Sequence, residues 1–368
     1  MAIEMNTWIE NKRFDLLWII APMAIPPLFI FLIPSDFLKQ QTTDIFPWVW
    51  LWIVLAVDVS HVYATIYKTY LKPEAWKQHE LKMKLAPLAV WMIGMLVYSL
   101  SSTFFWTCVT YFAVWHFIRQ QYGFFRLYSR KCQAKSWEKW FLNYCIYAMT
   151  VLPILIWHTR GELNFNWMTK NDFFYFESKT LSNVFHVLFF VTVGLYLFVE
   201  FRLKRMQKIN FPRILLTLST GFSYYISIVY FNNDFVFSVV NVLGHGIPYF
   251  ALVWISELKL VNPKSTSILK AVTKRWGIIL YYLILFSLAY FEESLWDLFV
   301  NREKGEIFGW AYSGTRAFEN EMVLAIIVPL LIMPQIVHYI LDAYIWKRKQ
   351  NEAFLEVNKN EVCNNKII

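Results

Sequence analysis

Apolar residues in this chain fall into long continuous runs, with no period-two alternation and no narrow helical stripe. A helix crossing a bilayer needs about 20 mostly apolar residues, because a ~30 Å hydrocarbon core is climbed at ~1.5 Å per residue. Ten stretches meet that requirement: 14–33, 47–67, 85–102, 103–125, 140–158, 181–201, 214–231, 235–256, 277–296 and 321–345. The pattern predicts an all-α polytopic membrane protein, a single bundle over residues 1–346 followed by a polar tail at 347–368. Only Ser101, Ser102 and Thr103 separate the third run from the fourth, and Asn232, Asn233 and Asp234 the seventh from the eighth. Both pairs are expected to form tight helical hairpins.

Composition agrees with lipid as the solvent. Of 368 residues, 57% are hydrophobic and only 17% charged. A soluble chain carries about a quarter charged residues, so most of this surface faces something other than water. The net charge of +9 raises the question of nucleic acid, which the placement of the cations answers. With the N-terminus inside, the cytoplasmic segments hold 28 of the 35 lysines and arginines. The opposite side keeps Lys39, Arg160, Lys170, Lys179, Arg302, Lys304 and Arg316. Such a bias is the orientation signal of inner-membrane proteins and predicts both termini in the cytoplasm. Cations spread thinly over separate segments form no basic stripe, so no nucleic-acid partner is expected.

The first run contains Pro22, Pro26 and Pro27 and no small-residue cleavage site, and is expected to be a retained helix. No glycine-rich phosphate loop occurs, which argues against an attached ATPase or dinucleotide-binding domain. Cys108, Cys132, Cys145 and Cys363 show no metal-binding or disulfide spacing. The longest loops, 159–180 and 297–320, fall outside, where Trp167, Trp296 and Trp310 are expected in the headgroup belt.

The candidate chemistry lies in the ionisable residues that remain inside the runs, since burying them in lipid is costly. His61, His116, His245 and His338 each sit in the inner half of a span that runs from outside to inside. At ~1.5 Å per residue they lie roughly 21, 20, 15 and 26 Å from the outer end, within one layer about 10 Å thick. Four histidines at one level on four parallel helices can converge on one centre. Residues three and four apart share a helix face, and on that spacing Asp58 precedes His61, Asp342 follows His338, Arg119 and Gln120 follow His116, and Asn241 and Tyr249 flank His245. A ligating histidine donates its second ring nitrogen to a carboxylate, amide or carbonyl, which such neighbours supply. The same placement suits a proton relay or a buried ion pair. Gly244 and Gly246 would let a helix or ligand approach the backbone beside His245.

Competing structural explanations apply elsewhere. A single intramembrane histidine commonly makes an interhelical hydrogen bond. His186 and His158 are read that way or as interfacial, and His79 as a loop residue without a role. The aromatic residues Trp106, Tyr111, Trp115, Tyr122 and Tyr128 are read as packing and anchors in preference to a ligand box. Glu292, Glu293 and Asp297 are read as a solvated acidic loop end.

Imidazole suits iron, copper and zinc, and several neutral histidines with a carboxylate and an open position suit a non-haem iron centre. The clustered histidine motifs of membrane desaturases and the HExxH motif are absent. One histidine on each of four helices resembles the four-histidine iron membrane dioxygenases of the Brp/Blh carotene-cleaving type. That resemblance implies a non-haem iron held by His61, His116, His245 and His338, acting with O2 on a lipid-soluble small molecule. The segments WHFIRQQYGFFRLY, GHGIPYFALVW and HYILDAYIWK also resemble recurring signatures of uncharacterised bacterial polytopic membrane proteins, which implies the bacterial inner membrane.

On this reading Asp58 and Asp342 orient ligands or ligate directly, Arg119 offers positive charge to an anionic substrate or headgroup, and Gln120, Asn241 and Tyr249 line the cofactor. The alternatives are haem or another transition metal in an electron-transfer protein, a proton-coupled transporter, or a lipid transferase using the same His and Asp array. The residues do not choose a redox partner or an oligomeric state.

Overall fold

The computed structural model describes residues 7–40, 46–132, 134–161, 163, 164, 166–204, 209–258, 272 and 276–346. The described residues form helices and connecting turns, with no strand among them. We number the long segments α1 (residues 12–30), α2 (Pro47–Lys68), α3 (Pro73–Leu100), α4 (Ser102–Tyr128), α5 (Ser136–Thr159), α6 (Lys179–Leu203), α7 (Phe211–Phe231), α8 (Asp234–Leu258), α9 (Gly277–Asn301) and α10 (Glu321–Ile345). Eight of them, α2, α3 and α5 to α10, are long and apolar enough to cross a membrane.

The other two expected spans are helical but do not meet that standard. In α4 the reason is composition: its 27 unbroken residues include threonines, tyrosines, His116, Arg119 and Gln120. In α1 the reason is proline. Pro22, Pro26 and Pro27 lack the N–H of the helical ladder, and the segment is a succession of short helical pieces bent at Ile25.

Both expected hairpins are present. Ser101 adopts an extended conformation that ends α3 and also caps α4, its side chain accepting from the Phe104 N–H. Between α7 and α8, Asn232 takes the left-handed conformation (φ 47°, ψ 55°) and Asn233 caps α8 through the Val236 N–H. Asparagine tolerates that backbone region better than other non-glycine residues. Wide π-helical turns over Trp50–Val59 and Ser238–Val242 stand just before two of the histidines. Such turns interrupt the regular ladder and are frequent at functional sites.

Burial ranks the helices. The apolar window of α8 is 78% buried and that of α3 only 17%, so α8 is central and α3 peripheral. Helix α2 packs against α8, α9 and α10, and α10 also meets α3 and α4. The peripheral helices turn Leu85, Leu88, Met92, Ile93 and Leu96 of α3, and Val187, Phe190, Phe198 and Phe201 of α6, outward. Exposed apolar surface of that extent is stable only against lipid, and the chain is an integral membrane protein.

The loops that follow α5 and α9 differ from expectation. Trp167 is not in a headgroup belt: residues 166–178 fold back so that its indole meets Phe117 edge-on at 4.8 Å and Phe237 at 4.8 Å. Asp172 holds the loop, its Oδ2 accepting from the backbone N–H groups of Trp167, Met168 and Thr169 and from the Thr110 hydroxyl. Trp296 is buried, while Trp310 is exposed. The acidic cluster is not a solvated loop end either. Glu292 is buried and accepts from the Tyr63 hydroxyl at 2.6 Å, and the buried Asp297 accepts from the N–H groups of Glu303 and Lys304. These carboxylates hold α9 against α2 and close the 302–312 turn.

Candidate metal centre

The helices α2, α4, α8 and α10 each deliver one imidazole to the same point. His61 and His245 approach Nε2 to Nε2 at 3.0 Å, and His338 and His116 at 3.1 Å. One ligand atom from each of the four lies within 4.8 Å of the other three, and all four side chains are buried. Nitrogens ~2.1 Å from a common metal ion would stand about 3.0 Å apart at right angles and about 4.2 Å apart in opposition. The observed cluster matches those separations with little adjustment.

Glycine makes the approach attainable. A β-carbon on Gly246 would lie 2.6 Å from the Val57 Cγ1 and 3.0 Å from its carbonyl oxygen, and one on Gly244 would lie 2.8 Å from the Met23 Sδ. The backbone of α8 therefore presses directly on α2 and α1 on both sides of His245. Aromatic rings fix two of the imidazoles: Phe117 stacks on His245 at 3.7 Å and 6°, and Tyr339 stacks on His116 at 4.4 Å. The hydroxyl of Tyr339 is held in turn by the Gln335 amide at 2.7 Å.

The Nδ1 atoms of His61 and His338 have anionic or polar neighbours. His61 Nδ1 is 3.6 Å from the Asp58 carboxylate, and His338 Nδ1 is 3.6 Å from that of Asp342. Thr65 Oγ1 sits 2.6 Å from His338 Nδ1 and 2.7 Å from the Tyr249 hydroxyl, which donates to Asp342 at 2.7 Å. His61 Nδ1 and His245 Nδ1 are buried without a hydrogen-bond partner within the protein.

The sequence-proposed residues divide by this geometry. The four histidines, Asp58, Asp342 and Tyr249 are together. Gln120 supports the centre indirectly, its amide donating to the His245 carbonyl at 2.8 Å. Asn241 is turned away, its amide donating to Ser227 Oγ at 2.6 Å and to the Phe237 carbonyl, and so binds α8 to α7. Arg119 is exposed and also turned away: its guanidinium donates to the Tyr147 hydroxyl and lies over the Tyr122 ring. Three residues at the centre escape a reading of charge and amides: Thr65, Phe117 and Tyr339. Thr65 had a usable signal, since it follows His61 by one turn.

His158 bonds the Ile154 carbonyl and the Tyr111 hydroxyl, and His186 bonds the Ser182 carbonyl. Both lie apart from the four-histidine cluster.

The donor set can hold a metal ion. Ligation through Nε2 requires the ring proton on Nδ1, and at His61 and His338 that is where Asp58, Thr65 and Asp342 stand. Two carboxylates beside the rings would offset the double charge of a divalent ion in an interior that tolerates little net charge. A porphyrin does not fit, because imidazole centroids 4.6 to 5.1 Å apart, largely edge to face, leave no slot for its plane. No family model, no curated protein and no solved structure matches this chain.

Proposed function

We propose that the protein is a bacterial inner-membrane oxygenase or related oxidoreductase, with a non-haem iron at the four-histidine centre and a lipid-soluble substrate. The observation that carries this reading is the convergence of four buried imidazoles, one ring nitrogen from each within 4.8 Å of the other three and two Nε2–Nε2 pairs at 3.0 and 3.1 Å, with carboxylates 3.6 Å from two Nδ1 atoms. Imidazole ligands with carboxylate support favour a borderline metal such as iron. The likeness in histidine placement to the Brp/Blh-type dioxygenases supports iron over zinc or copper. An iron ion in this site would supply activation of O2 for attack on a C–H or C=C bond.

The protein's own groups have definite parts in such a reaction. Phe117 and Tyr339 lock two imidazoles in orientation and keep water from their faces. Thr65, 2.6 Å from His338 Nδ1, would hold that ring in the Nδ1–H form, while Asp342, positioned by Tyr249 and Thr65, and Asp58 stand 3.6 Å from the Nδ1 atoms of His338 and His61 as negative charge behind the ligands. The apolar wall of α10 and α4 presents a nonpolar substrate to the centre from the bilayer. The 28 to 7 partition of cations supports a topology with both termini in the cytoplasm and the centre in the inner half of the bilayer.

The test is a metal count with an optical spectrum on one detergent-purified sample, repeated with His61, His116, His245 and His338 each changed to Ala. One equivalent of iron without a Soret band, lost in every variant, is expected. Absence of stoichiometric metal from every sample would overturn the reading.

A further inference from the structure

Two aromatic rings separate the histidine centre from a groove on the lipid-facing side of the bundle. The groove encloses about 610 Å³ between α3, α4 and α10, and its lining is apolar except for Lys82 and the hydroxyl of Tyr344 at one end. Phe112 lines it and meets Tyr339 edge-on at 5.5 Å, and Tyr339 stacks on His116. The groove thus continues, ring to ring, to a metal-ligand candidate. No comparable connection reaches the centre through Arg119, which is turned the other way.

We propose that this groove is the substrate channel, and that it takes a single extended hydrocarbon chain whose anionic head lies at Lys82. The inference rests on the reading of the histidines as a catalytic metal site and adds the substrate's shape, polarity and position.

Three features select this occupant. The lining runs on α3 from Lys82 to Val97, about 22 Å of helix, which suits one extended long chain. Among the described residues of the lining the one charged side chain is the cation Lys82, and its Nζ lies 3.8 Å over the Tyr344 ring, held at the mouth and available to a carboxylate or phosphate. Phe112 enters near the middle: the antiparallel register about Ser101 puts it level with residues 90–91, about 12 Å along the helix from Lys82. The chain position presented to Phe112 and Tyr339 is therefore mid-chain, well away from the head.

The groove also contains a native reporter, since Cys108 is an exposed free thiol in its wall. The experiment uses the full chain in phosphatidylcholine nanodiscs with palmitic acid carrying a mid-chain diazirine, photolysed and mapped by mass spectrometry, with the metal content of each sample measured in parallel. Label is expected on peptides covering 85–112 and 336–344, at least fivefold denser than on the lipid-facing helix α6. Unlabelled palmitate and prior alkylation of Cys108 with dodecylmaleimide should each reduce it severalfold. Ala89→Trp, which fills the groove at an exposed wall position, should abolish most of the label. Lys82→Ala should weaken capture of the acid and leave capture of its methyl ester unchanged. Groove label no denser than on α6, or label insensitive to both Ala89→Trp and the thiol block, overturns the proposal whatever the metal content. Strong groove label on a protein without bound metal would leave the channel standing and remove the catalytic reading instead.

Discussion

Gly246 packs against Val57 so closely that a β-carbon added to the glycine would stand 2.6 Å from the valine Cγ1. Val57 lies one turn before His61 and Gly246 is the neighbour of His245, so this contact sets how near the two imidazoles come. Gly246→Ala must move α8 away from α2 by several tenths of an ångström. Overpacking of this kind costs about 1–3 kcal/mol. A lower melting temperature together with reduced bound metal is expected, measured by thermal unfolding and metal analysis. A variant that keeps both would show that the helix approach does not control the centre.

The carboxylates and Arg119 should behave in opposite ways. Removing an anionic group behind a ligating histidine typically lowers metal affinity about 10–100-fold. Asp58→Asn and Asp342→Asn are expected to show that loss in competition with a chelator of known affinity. Arg119→Ala should leave affinity as it is, because the guanidinium is occupied by Tyr147 and Tyr122 on the outer face of α4. Equal loss in all three variants would contradict this assignment.

Metal should also tie the bundle together, since four separate helices supply the ligands. Binding to the folded state alone adds about 2.7 kcal/mol of stability at a free metal concentration 100 times the dissociation constant. Stripping with a chelator is expected to lower the melting temperature, and adding back iron should restore it. In the His116→Ala variant the chelator should have little effect, which separates loss of the ion from damage by the chelator.

Asp172, in the loop between α5 and α6, is expected to give that loop a pH-dependent stability. Burial pushes its carboxyl above the ordinary carboxylate range, against the pull of its backbone N–H donors and Thr110, and its Oδ1 lacks a hydrogen-bond partner. The sign follows from linkage. The folded state holds the proton more tightly, so the contribution is fully present below the unfolded value of about 3.9 and is lost as pH rises through the raised folded value. Hydrogen exchange of the 166–178 backbone should therefore quicken as pH rises through this window, after correction for intrinsic exchange rates. Asp172→Asn, neutral throughout and still an acceptor, should flatten the dependence. An unchanged slope in the variant would assign the effect to another group.

Much of the architecture was legible because lipid imposes a simple requirement. Runs of about 20 apolar residues had to be helices, and Ser101 and Asn232 to Asp234 marked the turns through ordinary capping chemistry. The four histidines could be singled out because each was an expensive residue at a similar depth. Other features were not legible. Arg119 shares the face rule with His116, yet helix phase alone does not say which neighbour a long side chain meets, and Tyr147 on α5 captured it. Trp167 looked like a belt residue, but Asp172 pins the loop so that the indole reaches Phe117 and Phe237. Glu292 and Asp297 looked solvated because their partners, Tyr63 on another helix and the backbone of a distant turn, are remote in sequence.

The amino-acid sequence by itself determined that the chain lives in a membrane, where its helices and hairpins fall, and which histidines share a level, because these follow from hydropathy, capping and a rise of ~1.5 Å per residue. Only the tertiary structure decided that the four imidazoles face one another at 3.0 and 3.1 Å and that Asp58 and Asp342 stand behind two of them. It alone decided that a lipid-facing groove is lined by Phe112, whose ring meets Tyr339, the residue stacked on His116. Rotation of each helix about its axis, and the glycine contacts that set helix separation, depend on packing between segments far apart in the chain, and no local pattern encodes them.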